Sequence, residues 1–365
     1  MAQSIAVIGG GHAGHGMAAD LTLAGHNVIF CAHPGPAAAF QETLRRGRIE
    51  ITGHARTGVA APRAMTTDVG EALGAARLVQ VLVPAMRQPA LFDALAPHLR
   101  DEHQVVFWSG YLGSLRLAAR LRTLRGPHPL IGEASTVPYS VRLLGPARVH
   151  VQAVAASVLL AALPGERTAE LLAACAPLWP GVIQPARHVL QAAFSNPNLL
   201  AHTAPVLLNL GRIEHTAGDF YLYREGITPA VARVMIALHH EIGRVAAAYG
   251  FQPRQFQEGE FAPPASVVEA VFAGPESRAE LGRSRGPSGV QHRYLTEDLP
   301  YGLAPIARLA RLAGVATPLL DGLLALGSAA AGRDFRREGP DLEALGLAGL
   351  DVSSVVACLR AGERL

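Results

Sequence analysis

Residues 4–16, Ser-Ile-Ala-Val-Ile-Gly-Gly-Gly-His-Ala-Gly-His-Gly, run an apolar strand straight into Gly9-x-Gly11-x-x-Gly14 and on into helix-forming sequence. Strand, glycine turn and helix in this order form the dinucleotide-binding fingerprint. Gly9 permits the tight turn out of the strand. Gly11 lets the backbone approach a pyrophosphate, and Gly14 lets the helix pack close to the sheet. The N–H groups that open the helix, at His12 and Ala13, point at the phosphates, and the helix dipole adds to the attraction. In a chain with 38 glycines the spacing alone is weak. Its place at the end of the first strand makes it a reading of nicotinamide or flavin dinucleotide binding.

Outward from that turn, residues 1–185 alternate short apolar runs with helical patterns, which predicts a parallel sheet with helices on both faces. Strands are expected at 5–8, 27–31, 78–83, 105–108, 130–133 and 149–156, with a short strand at 48–52 extending the second crossover. Helices are expected at 14–24, 36–46, 68–75, 88–99 and 114–123, with Asp68 as an N-cap. After Trp179-Pro180-Gly181 the strand signals thin out, and 230–249 and 303–312 space their apolar residues as helices do. The fold class is therefore α/β: a doubly wound Rossmann domain over 1–185, then a mainly α-helical domain over 186–365. The Pro- and Gly-rich stretch 253–289 reads as a flexible lid or mobile connection over the cleft.

The chain has 365 residues, 50% of them hydrophobic and 17% charged, with a formal net charge of +3. That is a folded globular composition. The sequence has no lysine; all 32 residues counted as Lys+Arg are arginine. This excludes a Walker lysine, a Schiff-base lysine and a lysine acid/base. Basic residues are spread without polybasic runs, so no nucleic-acid partner is expected. The longest apolar run, Val151–Leu163, contains Gln152 and Ser157 and is too short to span a bilayer, so no membrane partner is expected either. Cys31, Cys175 and Cys358 lie far apart, which fits a reduced cytoplasmic protein. The large apolar helical half suggests a homodimer.

Cofactor choice turns on the end of the second strand, Phe30-Cys31-Ala32-His33-Pro34, where no acidic residue waits for a ribose 2′-hydroxyl. His33, with Arg45 or Arg46, suits a 2′-phosphate and leans the reading toward NADP. A backbone or water contact in place of the acid would keep NAD. The strand ending Val81-Leu82-Val83-Pro84 stops at a proline that cannot donate to a sheet, and places Val83 and Pro84 beside the nicotinamide. No metal ligation is read from the sequence.

Two stretches carry candidate chemistry. Asn196-Pro197 opens a helix on which Asn198, His202 and Asn209 share one face, with Pro205 bending it. His202 then faces either a cleft or solvent. The second stretch, Gln291–Gly302, gathers Arg293, Glu297, Asp298, Tyr294 and Tyr301 and ends Pro-Tyr-Gly. Its arginine can grip a substrate carboxylate bidentately, and an acid bonded to a histidine fixes its tautomer. The same residues also suit a solvated loop with local ion pairs.

At these residues the chain resembles the opine dehydrogenases of the octopine/nopaline type over nearly its whole length. The resemblance rests on the glycine loop, Val83-Pro84-Ala85, Glu133-Ala-Ser-Thr136-Val-Pro138-Tyr139-Ser-Val-Arg142 and Asn198-x-x-x-His202 with Asn209. It rests further on Arg293-Tyr294-x-x-Glu297-Asp298-x-Pro300-Tyr301-Gly302 and Gly314-Val315-Ala316-Thr317-Pro318. It implies reductive condensation: an amino acid's amine adds to an α-keto acid such as pyruvate, and NAD(P)H reduces the imine. His202 matches the family's acid/base, Asp298 the acid that polarises it, and Arg293 the keto-acid carboxylate binder. Arg142 is a second anchor, with Asn198 and Thr136 at the substrate. The family commonly has proline directly after the histidine; here Thr203 follows, and the proline is Pro205. Two other readings stand beside this one. The first is a 2-keto or 2-hydroxy acid dehydrogenase without an amine partner. The second is a dinucleotide-binding sensor without catalysis.

Overall fold

A computed structural model of the chain describes residues 2–33, 35, 38–261, 266–272 and 274–362. Its strands are β1 (Ser4–Ile8), β2 (Asn27–Cys31), β3 (Ile49–Gly53), β4 (Gly58–Ala60), β5 (Ala64–Thr66), β6 (Leu78–Val81), β7 (Gln104–Trp108), β8 (Leu130–Ala134), β9 (Tyr139–Gly145), β10 (Arg148–Val154), β11 (Val158–Leu163) and β12 (Ile183–Pro185). Eight of these form the main sheet, in the order β12-β11-β8-β7-β6-β1-β2-β5. β5, β2, β1, β6, β7 and β8 run parallel. The order reverses about β1 and β6, the place where an open α/β sheet leaves a crevice at the strands' carboxyl ends.

Two expectations for the sheet are corrected. The strand expected at 149–156 forms as β10, but outside the main parallel sheet. The apolar run resumes after Ala155-Ala156-Ser157 as β11, which pairs antiparallel with β8. β10 instead joins β9, β3 and β4 in a separate four-stranded sheet. Strand β3, expected to extend a crossover, pairs parallel with β10 there. Alternation marks a strand but not the sheet it enters, and β4, β5 and β12, three residues each, carry signals too short to stand out.

The small sheet explains the first helix, α1 (His12–Leu23). From Gly14 to Leu21 every residue of α1 is buried. The helix lies between the main sheet on one side and β9, β3, β4 and β10 on the other. A helix covered on both sides has no polar face, and its small residues let two sheets approach it. Asp20 is, with His15, one of the two charged or titratable side chains buried on this helix. Both its carboxylate oxygens lie 3.0 Å from Arg56 Nη1, and it accepts from the Tyr139 hydroxyl, which in turn accepts from Trp179 Nε1. Asp20→Ala should cost about 2–4 kcal/mol in urea unfolding, chiefly because a buried tyrosine hydroxyl loses its acceptor. A loss below about 1 kcal/mol would mean that water replaces the carboxylate.

The remaining helices of this half are α2 (Ala38–Arg46), α3 (Val69–Ala75), α4 (Gln88–Leu95), α5 (Gly113–Thr123) and α6 (Thr168–Cys175). The expected start of α2 at Pro36 lies outside the described residues. Asp68 caps α3 as expected, accepting from the N–H groups of Gly70 and Glu71 at 2.7 and 3.2 Å. After β12 every described element is helical, beginning with α7 (Val189–Phe194), α8 (Asn198–Ala201), α9 (Thr203–Leu208), α10 (Leu210–His215) and α11 (Pro229–Ala248). Gly314–Pro318 proves to be a helix start: buried Glu241 accepts from Leu319 N and Leu320 N at 3.1 and 2.9 Å.

The stretch expected as a loose lid is instead tied to the small sheet. Its helix Pro275–Gly282 presents Glu280 to His150 Nε2 at 2.7 Å and His54 Nε2 at 3.3 Å, and Gln152 Nε2 donates to Ser284 Oγ at 2.9 Å. Residues 262–265 and 273 of that stretch lie outside the described residues. No helix among the described residues is long and apolar enough to cross a membrane.

Candidate active site

The glycine turn is built by backbone contact. Gly9 has φ +134°, a conformation that side chains rarely adopt, and a Cβ there would sit 2.5 Å from Leu82 O. A Cβ on Gly14 would fall 1.7 Å from Gly9 O, so the helix can start this close to the strand only without one. Gly11 differs: a Cβ there would meet nothing within 4 Å. Helix α1 starts at His12, two residues earlier than expected, with Gly11 as its N-cap and no side chain on its first N–H groups. Bare backbone facing open space at a helix N-terminus fits a pyrophosphate. Behind the turn, buried His15 bridges Gly11 O at 2.9 Å and Thr43 Oγ1 at 3.0 Å, and burial pushes its pKa down to about 4. It stays neutral and stiffens the loop.

His33 is half-buried past the end of β2. Arg45 and Arg46 both pair with Glu42 on their own helix, Arg46 Nε at 2.8 Å, and their side chains are largely exposed. Val83 is buried and Pro84 half-buried at the carboxyl end of β6.

The helical half meets this edge through the expected motif. Glu297 Oε1 accepts from Ala85 N at 2.8 Å, and the Arg116 guanidinium lies 5.3 Å from the centre of the Tyr301 ring. Asp298 opens a π-helical turn, Asp298–Leu303, and its Oδ2 lies 2.7 Å from His202 Nδ1. Both side chains are buried, at 2% and 5% exposure. Tyr111, beyond the end of β7, donates to the other Asp298 oxygen, and Asn198 Nδ2 donates to the Tyr111 hydroxyl at 3.4 Å. Tyr294 stacks on the His202 ring with centroids 3.5 Å apart and planes 11° apart, and Tyr223 Oη lies 3.0 Å from His202 Nε2.

Local sequence accounts for these positions. The expected single helix is three, broken at His202 and at Asn209. Pro205 has no N–H for residue 201 and its ring crowds that carbonyl, so α8 ends at Ala201 and His202 falls in the break. Asn209 donates to Pro205 O at 2.7 Å and to Gly226 O at 2.9 Å, so it serves the second break and meets the same Leu222–Gly226 turn that carries Tyr223. Tyr111 is aimed by a strained loop. Ser109, Tyr111 and Leu112 all have positive φ, at 48°, 52° and 63°. Such residues cost roughly 1–3 kcal/mol each and persist only when pinned. Glu133 pins them, accepting from Leu112 N and Ser114 N, each at 3.0 Å. Burial pushes the Glu133 carboxyl up to about 7, against the pull of those hydrogen bonds.

Electrostatically the site is a buried pair under arginine charge. Burial first, then the charges of Arg293 and Arg142, holds the His202 imidazole well below its usual pKa. Burial pushes the Asp298 carboxyl up to about 7, opposed by Tyr111 and Arg293. The same two arginines act on His12 at the start of α1, so the glycine turn and His202 share one electrostatic neighbourhood. Arg293 itself is exposed, with Nη1 3.9 Å from Glu297 Oε2, and Arg142 is half-buried on β9. Thr136 is buried in the bend between β8 and β9. No group of three or more metal-ligating residues occurs among the described residues.

Sequence reading missed the roles of three residues here. Tyr111 follows the carboxyl end of a parallel strand, a position that rule alone could have flagged. Glu297 stands in the quoted motif with no sign that it reaches the other half. Tyr223 lies in a π-helical turn, Leu222–Gly226, with no periodic signal.

Residues 185–331 match the family model of the NAD/NADP octopine/nopaline dehydrogenase alpha-helical domain, and residues 5–165 match that of ketopantoate reductase PanE/ApbA. The chain is 31% identical to an opine dehydrogenase of Arthrobacter sp. (strain 1C) over 358 residues, covering 97% of this chain and 98% of that one. It is 25% identical to a vitopine synthase of Allorhizobium ampelinum over 367 residues, covering 98% and 99%. Among solved structures, octopine dehydrogenase with NADH and L-arginine superposes with a TM-score of 0.69 at 18% identity, covering 97% and 98%. Yersinopine dehydrogenase with NADP+ bound gives 0.69 at 16% identity, covering 99% and 98%.

Proposed function

The chain belongs to the opine dehydrogenase family, and on that premise we propose that it is an NAD(P)H-dependent oxidoreductase that joins an amino acid to an α-keto acid such as pyruvate. The observation that carries this reading is one buried imidazole, held by a carboxylate on Nδ1 and lying within the field of two arginines. The proposed division is a dinucleotide-binding domain over 1–185 and a catalytic domain over 186–365.

The dinucleotide would rest on Gly9, Gly11, His12, Ala13 and Gly14, with His33 toward the ribose and Val83 and Pro84 toward the nicotinamide. When bound it supplies hydride. Arg293 takes the keto-acid carboxylate and Arg142 the amino-acid carboxylate, with Asn198 and Thr136 lining the substrate. A carboxylate on each arginine cancels the charge that depresses His202, so the imidazole gains basicity as the substrates arrive. His202 then gives a proton to the hydroxyl that leaves as water when the imine forms. Asp298 stabilises the charged ring while the proton is held.

Arg293→Ala should raise the keto-acid KM roughly 10- to 100-fold, with a smaller effect on the amino-acid KM. An unchanged keto-acid KM in steady-state assays would move the carboxylate site elsewhere. The whole reading is tested by oxidation of NADH and NADPH with pyruvate alone and with pyruvate plus a panel of amino acids. Turnover that requires an amine supports it, and turnover indifferent to the amine replaces it with a simple keto-acid reductase. The proposal extends to a cytoplasmic homodimer, supported by three buried cysteines far apart in the sequence and by the apolar helical half. A monomer in sedimentation velocity would remove the dimer.

A further inference from the structure

The role proposed for His202 leaves one group unused: the hydroxyl of Tyr223, 3.0 Å from Nε2. Asp298 accepts from Tyr111 at one oxygen, and as a carboxylate it takes the Nδ1 proton of His202 at the other across 2.7 Å. In that tautomer Nε2 is the acceptor nitrogen, and the Tyr223 hydroxyl, which also hydrogen-bonds Tyr294, can donate only to Nε2 or to that second tyrosine. Nε2 is also the only ring nitrogen left for a substrate. Tyr223 is buried and projects from a π-helical turn, a local irregularity that recurs at functional sites. Its ring does not stack on the imidazole, as Tyr294 does; it meets the imidazole edge at 6.5 Å between centroids.

We infer that Tyr223 is a positioning residue that masks Nε2 of His202 in the unloaded enzyme, keeps the imidazole neutral, and yields its place to the reacting group of the substrate. The inference rests on His202 being the acid/base. A donor to a neutral imidazole nitrogen favours the neutral form, because the protonated ring cannot accept. The other charged and titratable groups facing the ring are Asp298, Tyr294, His292, Arg293 and Arg142, and Tyr223 alone among them bonds to Nε2. The hydroxyl marks where the oxygen or nitrogen that exchanges a proton with His202 must come to rest.

The test is the pH profile of opine oxidation with NAD(P)+, the direction in which His202 must be neutral to accept a proton. The acid limb of kcat/KM reports the free enzyme, and that of kcat the loaded one. Tyr223→Phe removes the donor, so its kcat/KM acid limb should move to higher pH by about half a unit to one unit. The kcat limb should stay in place, because substrate has already displaced the hydroxyl. Replacing Tyr223 by 3-fluorotyrosine keeps the shape and strengthens the donor, so the same limb should move to lower pH. That second protein decides the matter if Tyr223→Phe does not fold. A kcat/KM profile superimposable on that of the parent enzyme overturns the inference, and so does an equal shift in both profiles. His202→Gln separates the two ideas. Full turnover in that variant ends the acid/base role itself, whereas loss of turnover beside an unmoved Tyr223→Phe profile ends only the masking role.

Discussion

His202→Ala is expected to lower kcat by roughly 10²–10⁴ while the Kd for NADH or NADPH stays within about twofold. The imidazole lies at the break between α8 and α9, and its ring nitrogens bond to Asp298 and Tyr223 rather than to the glycine turn. Removing it deletes proton transfer and leaves the phosphate cradle intact. The variant also leaves Asp298 buried with Tyr111 as its one remaining donor among the bonds described above. Thermal unfolding should be measured alongside, and His202→Gln, which keeps a polar side chain, serves as the better-folded comparison. The measurements are steady-state kinetics and fluorescence titration of the reduced dinucleotide. Equal losses in kcat and in dinucleotide affinity would place His202 in the binding apparatus instead.

The second large effect separates binding from folding within a single turn. Gly11→Ala should fold with an unchanged melting temperature, because a Cβ there meets nothing within 4 Å. The same methyl group occupies the space where backbone must face phosphate, so dinucleotide affinity should fall at least about tenfold. Gly14→Ala should do the reverse of the first result. Its Cβ would lie 1.7 Å from the Gly9 carbonyl, so the turn must open, at a cost of more than about 3 kcal/mol. Differential scanning fluorimetry with and without NADPH reads both. A Gly11→Ala protein that binds the dinucleotide normally would show that the pyrophosphate does not lie over this residue.

The Rossmann half was legible because its signals are local: an apolar run, a glycine turn, and a helix that begins at once. What escaped was membership. Nothing in the run 149–163 says that its first half enters a second sheet while its second half closes the first, since burial gives both the same apolar texture. The reading of 253–289 as a lid or connection missed its packing partner for a related reason. Proline and glycine content describes how a chain turns, and Glu280 bonded to His150 describes what it turns onto. At the site, His202 and Asp298 lie 96 residues apart, and no period or spacing joins them. The family resemblance supplied that pair. It did not supply Tyr223, whose position depends on a helical irregularity that leaves no trace in side-chain periodicity.

The joint at Ala85, Tyr111 and Arg116 has a consequence for the life of the chain. The acid beside His202 is oriented by a tyrosine from the opposite half, and the turn that carries that acid is anchored on the opposite half's backbone. With His202 as the proposed proton donor, neither half on its own holds the complete donor assembly, so a nascent or partly denatured molecule should lack activity until the two halves dock.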